Sequence, residues 1–343
     1  MEVAVAKHRL FFKTPSRTSR EVLTYKDVWY IKLTNPDTEK SGIGECAVFP
    51  GLSCDWTLDY ERVLHEVCCD IKNSETPDLS QLPSIKFGVE SAMAQFQDVY
   101  SDWRQGRCAI TINGLVWMGS EQEMMQRVSE KIEQGFRCIK LKIGGIDFNR
   151  EIAILRSIRS NFSADIVELR LDANGSFLRH EALQKLDELA QFQIHSIEQP
   201  IKQGLWRDMN EICSKSPIPI ALDEELIGLN ICSDKERMLD TVVPQYIILK
   251  PTLCGGLSGS DEWIRLARQR NIGWWATSAL ESNVGLDSIA NWVSAYHPDM
   301  PQGLGTGELY TNNIPSPLVL SGERLSYNLN GSWDFSKLNW VKI

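Results

Sequence analysis

From about residue 108 the chain repeats one pattern, a short run rich in β-branched residues followed by an amphipathic stretch. The runs span 109–113, 138–143, 166–173, 194–198, 218–223, 246–250 and 273–278, with a weaker eighth at 302–305. The first helical stretch opens with a capping box, Ser120 and Glu123, and stops before Gly135. Strand–helix alternation at this pitch predicts βαβ units and a parallel sheet. Eight strands can form a closed barrel or an open sheet wound on both faces, and the polar residues decide between them. Lys142, Asp172, Glu198, Asp223, Lys250 and Ser278 each fall at the C-terminal end of a successive run, 30, 26, 25, 27 and 28 residues apart. In a barrel those ends converge on one mouth, where such folds carry their active sites, whereas the outer strands of an open sheet lie too far apart to share one. The pattern therefore predicts a barrel.

The first 50 residues have another texture. Apolar and polar positions alternate, as in Asp27-Val28-Trp29-Tyr30-Ile31-Lys32-Leu33, and the turn Asn35-Pro36-Asp37 follows. This predicts antiparallel strands, with helices then expected over 57–72 and 84–103. Strands followed by helices make a small α+β unit ahead of the barrel.

Alternate residues of a strand share a face, so Lys140 and Lys142 point the same way, as do Arg170, Asp172 and Asn174. Barrel interiors normally hold packed branched hydrophobes, so a charged lining needs a metal, mutual pairing, or both. Asp172, Glu198 and Asp223 lie on three consecutive strands. Three carboxylates at one mouth make an oxygen-only site for a hard cation, with Mg²⁺ the natural occupant and Mn²⁺ a substitute. Lys142 and Lys250 flank the cluster. Close to a dication and to other ammonium groups, a lysine is expected to have a lowered pKa and to serve as a general base. Taken singly, a carboxylate at a strand end more often caps a helix and a lysine there more often pairs with one. Six in step with the repeat point to function. Arg170, Asn174 and Glu224 are expected to orient the ligands.

Composition narrows the partners. With 36 Lys and Arg against 45 Asp and Glu the formal charge is −9, which argues against nucleic-acid binding. No apolar run is long enough to span a bilayer, and Lys7, His8 and Arg9 interrupt the first apolar stretch, so neither a membrane anchor nor a signal peptide is expected. Nine cysteines without paired C-x-x-C spacing are read as reduced, which places the chain in the cytoplasm. The Gly255–Gly259 segment lacks the lysine of a phosphate loop and reads as an ordinary loop.

Together, Lys140-Leu141-Lys142, Asp172-Ala173-Asn174, Glu198-Gln199-Pro200, Asp223-Glu224 and Lys250-Pro251 resemble the enolase superfamily in its muconate-lactonizing subgroup. The set spans nearly the whole chain in the family's order. The resemblance implies a modified TIM barrel, (β/α)7β, over 108–307, with an N-terminal α+β capping domain over 1–107 completed by the returning segment 308–343. It implies Mg²⁺ on Asp172, Glu198 and Asp223 and proton abstraction beside a substrate carboxylate. Within the subgroup, Phe12-Lys13-Thr14-Pro15, Gly44-Glu45-Cys46, Phe49-Pro50-Gly51-Leu52-Ser53, Ile112-Asn113-Gly114-Leu115 and Gly303-Leu304-Gly305-Thr306-Gly307 are similar to the dehydrating members of menaquinone synthesis. Their substrate is 2-succinyl-6-hydroxy-2,4-cyclohexadiene-1-carboxylate, which loses water through an enediolate to become aromatic.

On that resemblance Lys142 is the base and then returns its proton to the leaving hydroxyl. Lys250 stays charged opposite, and Lys140 lowers the pKa of Lys142. Thr14, Ser19, Leu52, Ser278 and Glu281 are expected to contact the substrate, under loops near 14–19 and 49–53. The partner is a small-molecule carboxylate, and both a monomer and a homo-oligomer stay open. Other chemistries compete. N-acylamino acid racemisation uses two opposed lysines, and muconate cycloisomerisation fits the site alone. Dipeptide epimerisation loses its anchor, because Gly305-Thr306-Gly307 stands where epimerases carry Asp-x-Asp. A Schiff-base aldolase would not need three carboxylates, and a barrel kept only as a binding scaffold would not need every ligand and lysine.

Overall fold

The computed structural model describes residues 1–17, 22–97 and 101–343. Strands β1 (Glu2–Arg17), β2 (Val22–Thr34) and β3 (Ser41–Cys46) pair antiparallel, and residues Val341–Lys342 add a fourth strand at the edge of β1. An Asx turn reverses the chain between β2 and β3, with Asn35 Oδ1 accepting from the Asp37 amide at 2.9 Å. The apolar run of β2 is nearly unbroken because both faces of this sheet are covered. Trp29, Ile31 and Leu33 pack on helices α1 (Tyr60–Lys72) and α2 (Pro83–Phe96), while Val28 and Tyr30 pack on Val284, Tyr310 and Ile314. The helix expected over 84–103 thus ends at Phe96, and residues 98–100 lie outside the described ones. Gly44 lets α2 approach β3 closely, since a Cβ there would stand 1.8 Å from the Gly88 carbonyl oxygen.

The run at 109–113 is shared between two sheets. Its strand β4 (Ala109–Thr111) pairs antiparallel with residues 324–326 of a C-terminal hairpin, and the Ile112 amide donates to the Glu323 carbonyl. Its last residues meet the closing segment of the barrel, the Asn113 amide donating to the Gln302 carbonyl at 2.9 Å, and the parallel sheet continues from there at β5 (Gly114–Val116). The repeat then runs α3 (Glu121–Glu133), β6 (Cys138–Lys142), α4 (Phe148–Asn161), β7 (Glu168–Asp172), α5 (Ala182–Ala190), β8 (Ser196–Glu198) and α6 (Trp206–Lys215). It continues through β9 (Ile220–Leu222), α7 (Cys232–Val242), β10 (Tyr246–Leu249), α8 (Gly256–Arg268), β11 (Gly273–Ala276) and α9 (Asn283–Ser294). The hairpin β12 (Leu318–Ser321) and β13 (Arg324–Tyr327) and the edge strand β14 (Val341–Lys342) complete the chain.

Strands β5 to β11 lie side by side in sequence order, all parallel. Gln302 bridges to Ile112 and Gly303 to Thr277, so this short eighth stave closes the curled sheet. The fold is therefore a modified (β/α)7β barrel carrying an antiparallel N-terminal sheet. The predicted capping box is present, since the Ser120 hydroxyl accepts from the Glu123 amide and the Glu123 carboxylate from the Ser120 amide. Ile139, Leu141, Leu169, Leu171, Ile197, Leu222 and Leu249 face outward into the main core. Inside, Ala221, Ile248 and Trp275 form a small apolar plug on one side, and the inner faces of β6 and β7 carry charge.

Candidate active site

Strand register builds the site. Lys142 stands opposite Asp172 across β6 and β7, and Asp172 opposite Glu198 across β7 and β8. Asp223 and Lys250 follow directly on the ends of β9 and β10. Lys140 Nζ donates to Glu198 Oε2 at 2.9 Å and lies 3.3 Å from Asp172 Oδ2. Lys142 Nζ donates to Asp172 Oδ2 and to Asn174 Oδ1, each at 2.8 Å. Across the barrel Lys250 Nζ donates to Asp223 Oδ2. Asn174 passes the network on, its Nδ2 donating to Glu224 Oε1 at 3.1 Å. Gln199, in the left-handed region at φ 39°, holds the next loop by accepting from the amides of Asp223 and Glu225.

The charges are nearly dry, so each pKa reports its neighbours. Burial and the like charges of Asp172 and Asp223 push Glu198 up to about 8, against the pull of Lys140. Burial would raise Asp172 too, but Lys142 and Lys140 win and hold it well below the usual carboxylate range. Burial disfavours the Lys140 and Lys250 ammonium groups, yet their carboxylate partners outweigh it and hold both above the ordinary lysine value. Glu198, Asp172 and Asp223 act on Lys140, and Asp223 and Glu224 on Lys250, so at these two groups attraction exceeds mutual repulsion.

Among the described residues, no three carboxylate, imidazole or thiol groups stand together as a ready metal shell, because ammonium groups sit between the acids. The donor set nevertheless fits a hard dication. Three carboxylates come from neighbouring strands, and the fully buried Glu198 keeps one oxygen, Oε1, without a hydrogen-bond partner.

A cavity, open at its mouth, lies over this network. Lys140, Lys142, Asp172, Asn174, Glu224 and Lys250 line its charged part, and Phe49, Leu52, Leu115, Trp117 and Leu280 line its apolar part. Of the residues expected to meet the substrate, Leu52 and Ser278 are in the wall. Thr14 is exposed on β1 and does not line the cavity, and Ser19 lies outside the described residues. Glu281 is fully buried behind the wall, accepting from Thr252 Oγ1 at 2.5 Å and from the Ser278 hydroxyl. Arg170 does not reach the mouth either. Its Nε donates to Glu168 Oε1, its Nη1 to the Pro301 carbonyl, and its guanidinium lies 4.5 Å from the Trp275 ring. Alternation set its face correctly, but Glu168 at the start of β7 draws the guanidinium away from Asp172.

Sequence reasoning missed Asn113, Trp117, Thr277 and Thr306 in the wall. Trp117 lies one residue beyond β5, and the strand-end rule finds it once the first stave is followed on to Val116. Thr306 is buried with its Oγ1 unpartnered.

Residues 123–314 match the family Enolase C-terminal domain-like. The o-succinylbenzoate synthase of Desulfotalea psychrophila is 42% identical, over 94% of this chain and 98% of its own. The crystal structure of MenC from the same organism has a TM-score of 0.85 at 39% identity, covering 95% of this chain and 99% of that one. The o-succinylbenzoate synthase of Thermosynechococcus elongatus, solved with Mg in its active site, shares the fold, with a TM-score of 0.73 at 23% identity over 88% and 92% of the two chains. The chain belongs to the enolase superfamily and, within it, to the family of the o-succinylbenzoate synthases.

Proposed function

We propose that the protein is an o-succinylbenzoate synthase, a lyase that removes water from 2-succinyl-6-hydroxy-2,4-cyclohexadiene-1-carboxylate to give 2-succinylbenzoate in menaquinone synthesis. The observation that carries this reading is the pair Lys142 and Lys250, which line one cavity from different staves over three converging carboxylates. Asp172, Glu198 and Asp223 would hold Mg²⁺, which supplies the positive charge that stabilises a substrate carboxylate while its neighbouring carbon loses a proton.

Lys142 takes that proton as the C–H bond breaks. Held by Asp172 and Asn174, it keeps one position and can return the proton to the departing hydroxyl on the same face, so water leaves and the ring becomes aromatic. Lys250 stays charged, because Asp223 favours its ammonium form, and it faces the electron-rich ring as that ring forms. Trp117, 5.8 Å from Lys142 Nζ, and Leu115 supply an apolar wall for the ring. The unpartnered Thr306 hydroxyl offers a donor to the polar tail. The last stave carries no carboxylate at 305–307, which leaves a substrate amine without an anchor.

The opposed lysines also suit two-base proton transfer, so racemisation of N-acylamino acids is a second reading. The nine free cysteines suit a reducing compartment such as the cytoplasm, and no helix among the described residues is long and apolar enough to cross a membrane. The test is turnover of the cyclohexadiene acid by purified protein with Mg²⁺, followed by ultraviolet absorbance, beside polarimetry on an N-succinyl amino acid. Aromatisation establishes the first reading. Racemisation without aromatisation replaces it with the second.

A further inference from the structure

Lys26 is a buried ammonium that no step above uses. It lies on the face of β2 that carries Val28 and Tyr30, turned toward the barrel, and is 5% exposed. Its Nζ donates to the carbonyls of Ala279 at 2.6 Å and Leu280 at 3.1 Å, and lies 5.2 Å from the centre of the Phe49 ring. Glu45 and Glu281 act on it through space, while its hydrogen bonds go to the carbonyls. Burying a charge is costly, and an apolar side chain could fill the same room. What the ammonium adds is a grip on two carbonyl oxygens and one aromatic face.

The gripped loop is under strain. Leu280 has φ 62°, a left-handed conformation that a leucine adopts only when its surroundings impose it. Its carbonyl oxygen accepts from both Lys26 and the Tyr310 hydroxyl, the latter at 2.7 Å. The loop then ends at Ser282, whose amide and hydroxyl donate to Glu45 on β3. All three residues that Lys26 touches, Phe49, Ala279 and Leu280, line the cavity, and Lys26 itself does not. None of them belongs to the cluster of Lys140, Lys142, Asp172 and Lys250.

We infer that Lys26 is a positioning residue for substrate specificity. From behind the cavity wall it ties the cap loop at Phe49 to the barrel loop at Ala279–Leu280, and so shapes the surface that receives the substrate's substituent rather than its reacting carbon. This deepens the synthase reading and rests on it for the substrate. Loss of the ammonium loosens two sides of the wall while the proton-transferring groups keep their own partners, so affinity falls and the chemical step stays.

The test is Lys26→Met beside Lys26→Arg in the full-length protein with Mg²⁺. Lys26→Met is expected to raise KM for the cyclohexadiene acid about tenfold with kcat within threefold of the parent. Lys26→Arg, which keeps a donor for both carbonyls, is expected to restore most of the affinity. As inhibitors, 2-succinylbenzoate should bind Lys26→Met about tenfold more weakly while benzoate binds it equally well. A fall in kcat at unchanged KM, or equal weakening of both inhibitors, would overturn the inference. If Lys26→Met fails to fold, Tyr310→Phe removes the other bond to the Leu280 carbonyl and leaves the charge in place. Raised KM at constant kcat then supports the role, and unchanged KM overturns it. A parent protein that does not turn over the acid fails the synthase reading, whereas an active parent with unaltered KM in the variants fails the positioning role alone.

Discussion

Asp172 Oδ2 receives two ammonium groups from one strand, Lys142 at 2.8 Å and Lys140 at 3.3 Å, because β6 and β7 stand in register with those side chains on the inner face. The two lysines are not equivalent. Lys140 is tied to Glu198 as well, whereas Lys142 reaches Asn174 at the cavity edge.

That difference predicts the base. Lys142→Ala should lower kcat about a thousandfold, within the range by which a positioned acid or base accelerates proton transfer. Mg²⁺ affinity should hold or tighten, since one competitor for Asp172 is gone. Lys250→Ala should cost about a hundredfold through lost charge stabilisation. Steady-state kinetics with calorimetric Mg²⁺ titration check both, and normal turnover in Lys142→Ala would show the base to be misassigned.

Glu198 predicts the metal. Its Oε1 is buried without a partner, and burial with the like charges of Asp172 and Asp223 raises its pKa to about 8. Glu198→Gln should weaken Mg²⁺ binding at least tenfold, read as a smaller upward shift of melting temperature on adding the ion. In the parent, chelation should abolish activity and either Mg²⁺ or Mn²⁺ should restore it. Activity that survives a chelator would remove the metal from the reaction.

The candidate site was more legible than its supports. Lys142, Asp172, Glu198, Asp223 and Lys250 could be read because a strand end fixes where a side chain points, whatever the rest of the chain does. Arg170 shared the correct face, yet a long flexible side chain goes to its partner, and alternation says nothing of Glu168. Glu281 lay next to the mouth in sequence, but its bonds to Thr252 and Ser278 turn it into the wall. The run 109–113 has a strand's composition, but its second role cannot be read from it, because its antiparallel partner, the hairpin over 318–327, lies some 200 residues away. Contacts of that range leave no periodic trace.

Gly44 predicts a packing limit. A Cβ there would meet the Gly88 carbonyl oxygen at 1.8 Å and the Ala92 amide at 2.9 Å, both backbone atoms of α2 that cannot step aside alone. Gly44→Ala should therefore cost about 3 kcal/mol or more, at the upper end of overpacking penalties. The measurement is urea unfolding, and a loss below about 1 kcal/mol would mean that β3 and α2 part easily.

Glu45 predicts a pH dependence of stability. Its carboxylate joins β3 to the start of α9, accepting from the Ser282 amide at 2.9 Å, the Gly285 amide at 2.8 Å and the Ser282 hydroxyl. Burial raises its pKa from 4.5 to about 6, against the pull of Ser282 and Lys26 and with the push of Glu281. The folded state thus holds this proton more tightly than the unfolded one. Its contribution is fully present below about pH 4.5 and is lost as pH rises through 6. The rise from 4.5 to about 6 corresponds to about 2 kcal/mol. Glu45→Gln cannot ionise, so whatever its bonds cost, that cost does not vary with pH. Between pH 4 and pH 7 the stability of Glu45→Gln relative to the parent should improve by about 2 kcal/mol, measured by urea unfolding at each pH. A constant difference across that window would mean that Glu45 titrates as an exposed carboxylate does, and that the bonds from Ser282 and Gly285 fully offset its burial.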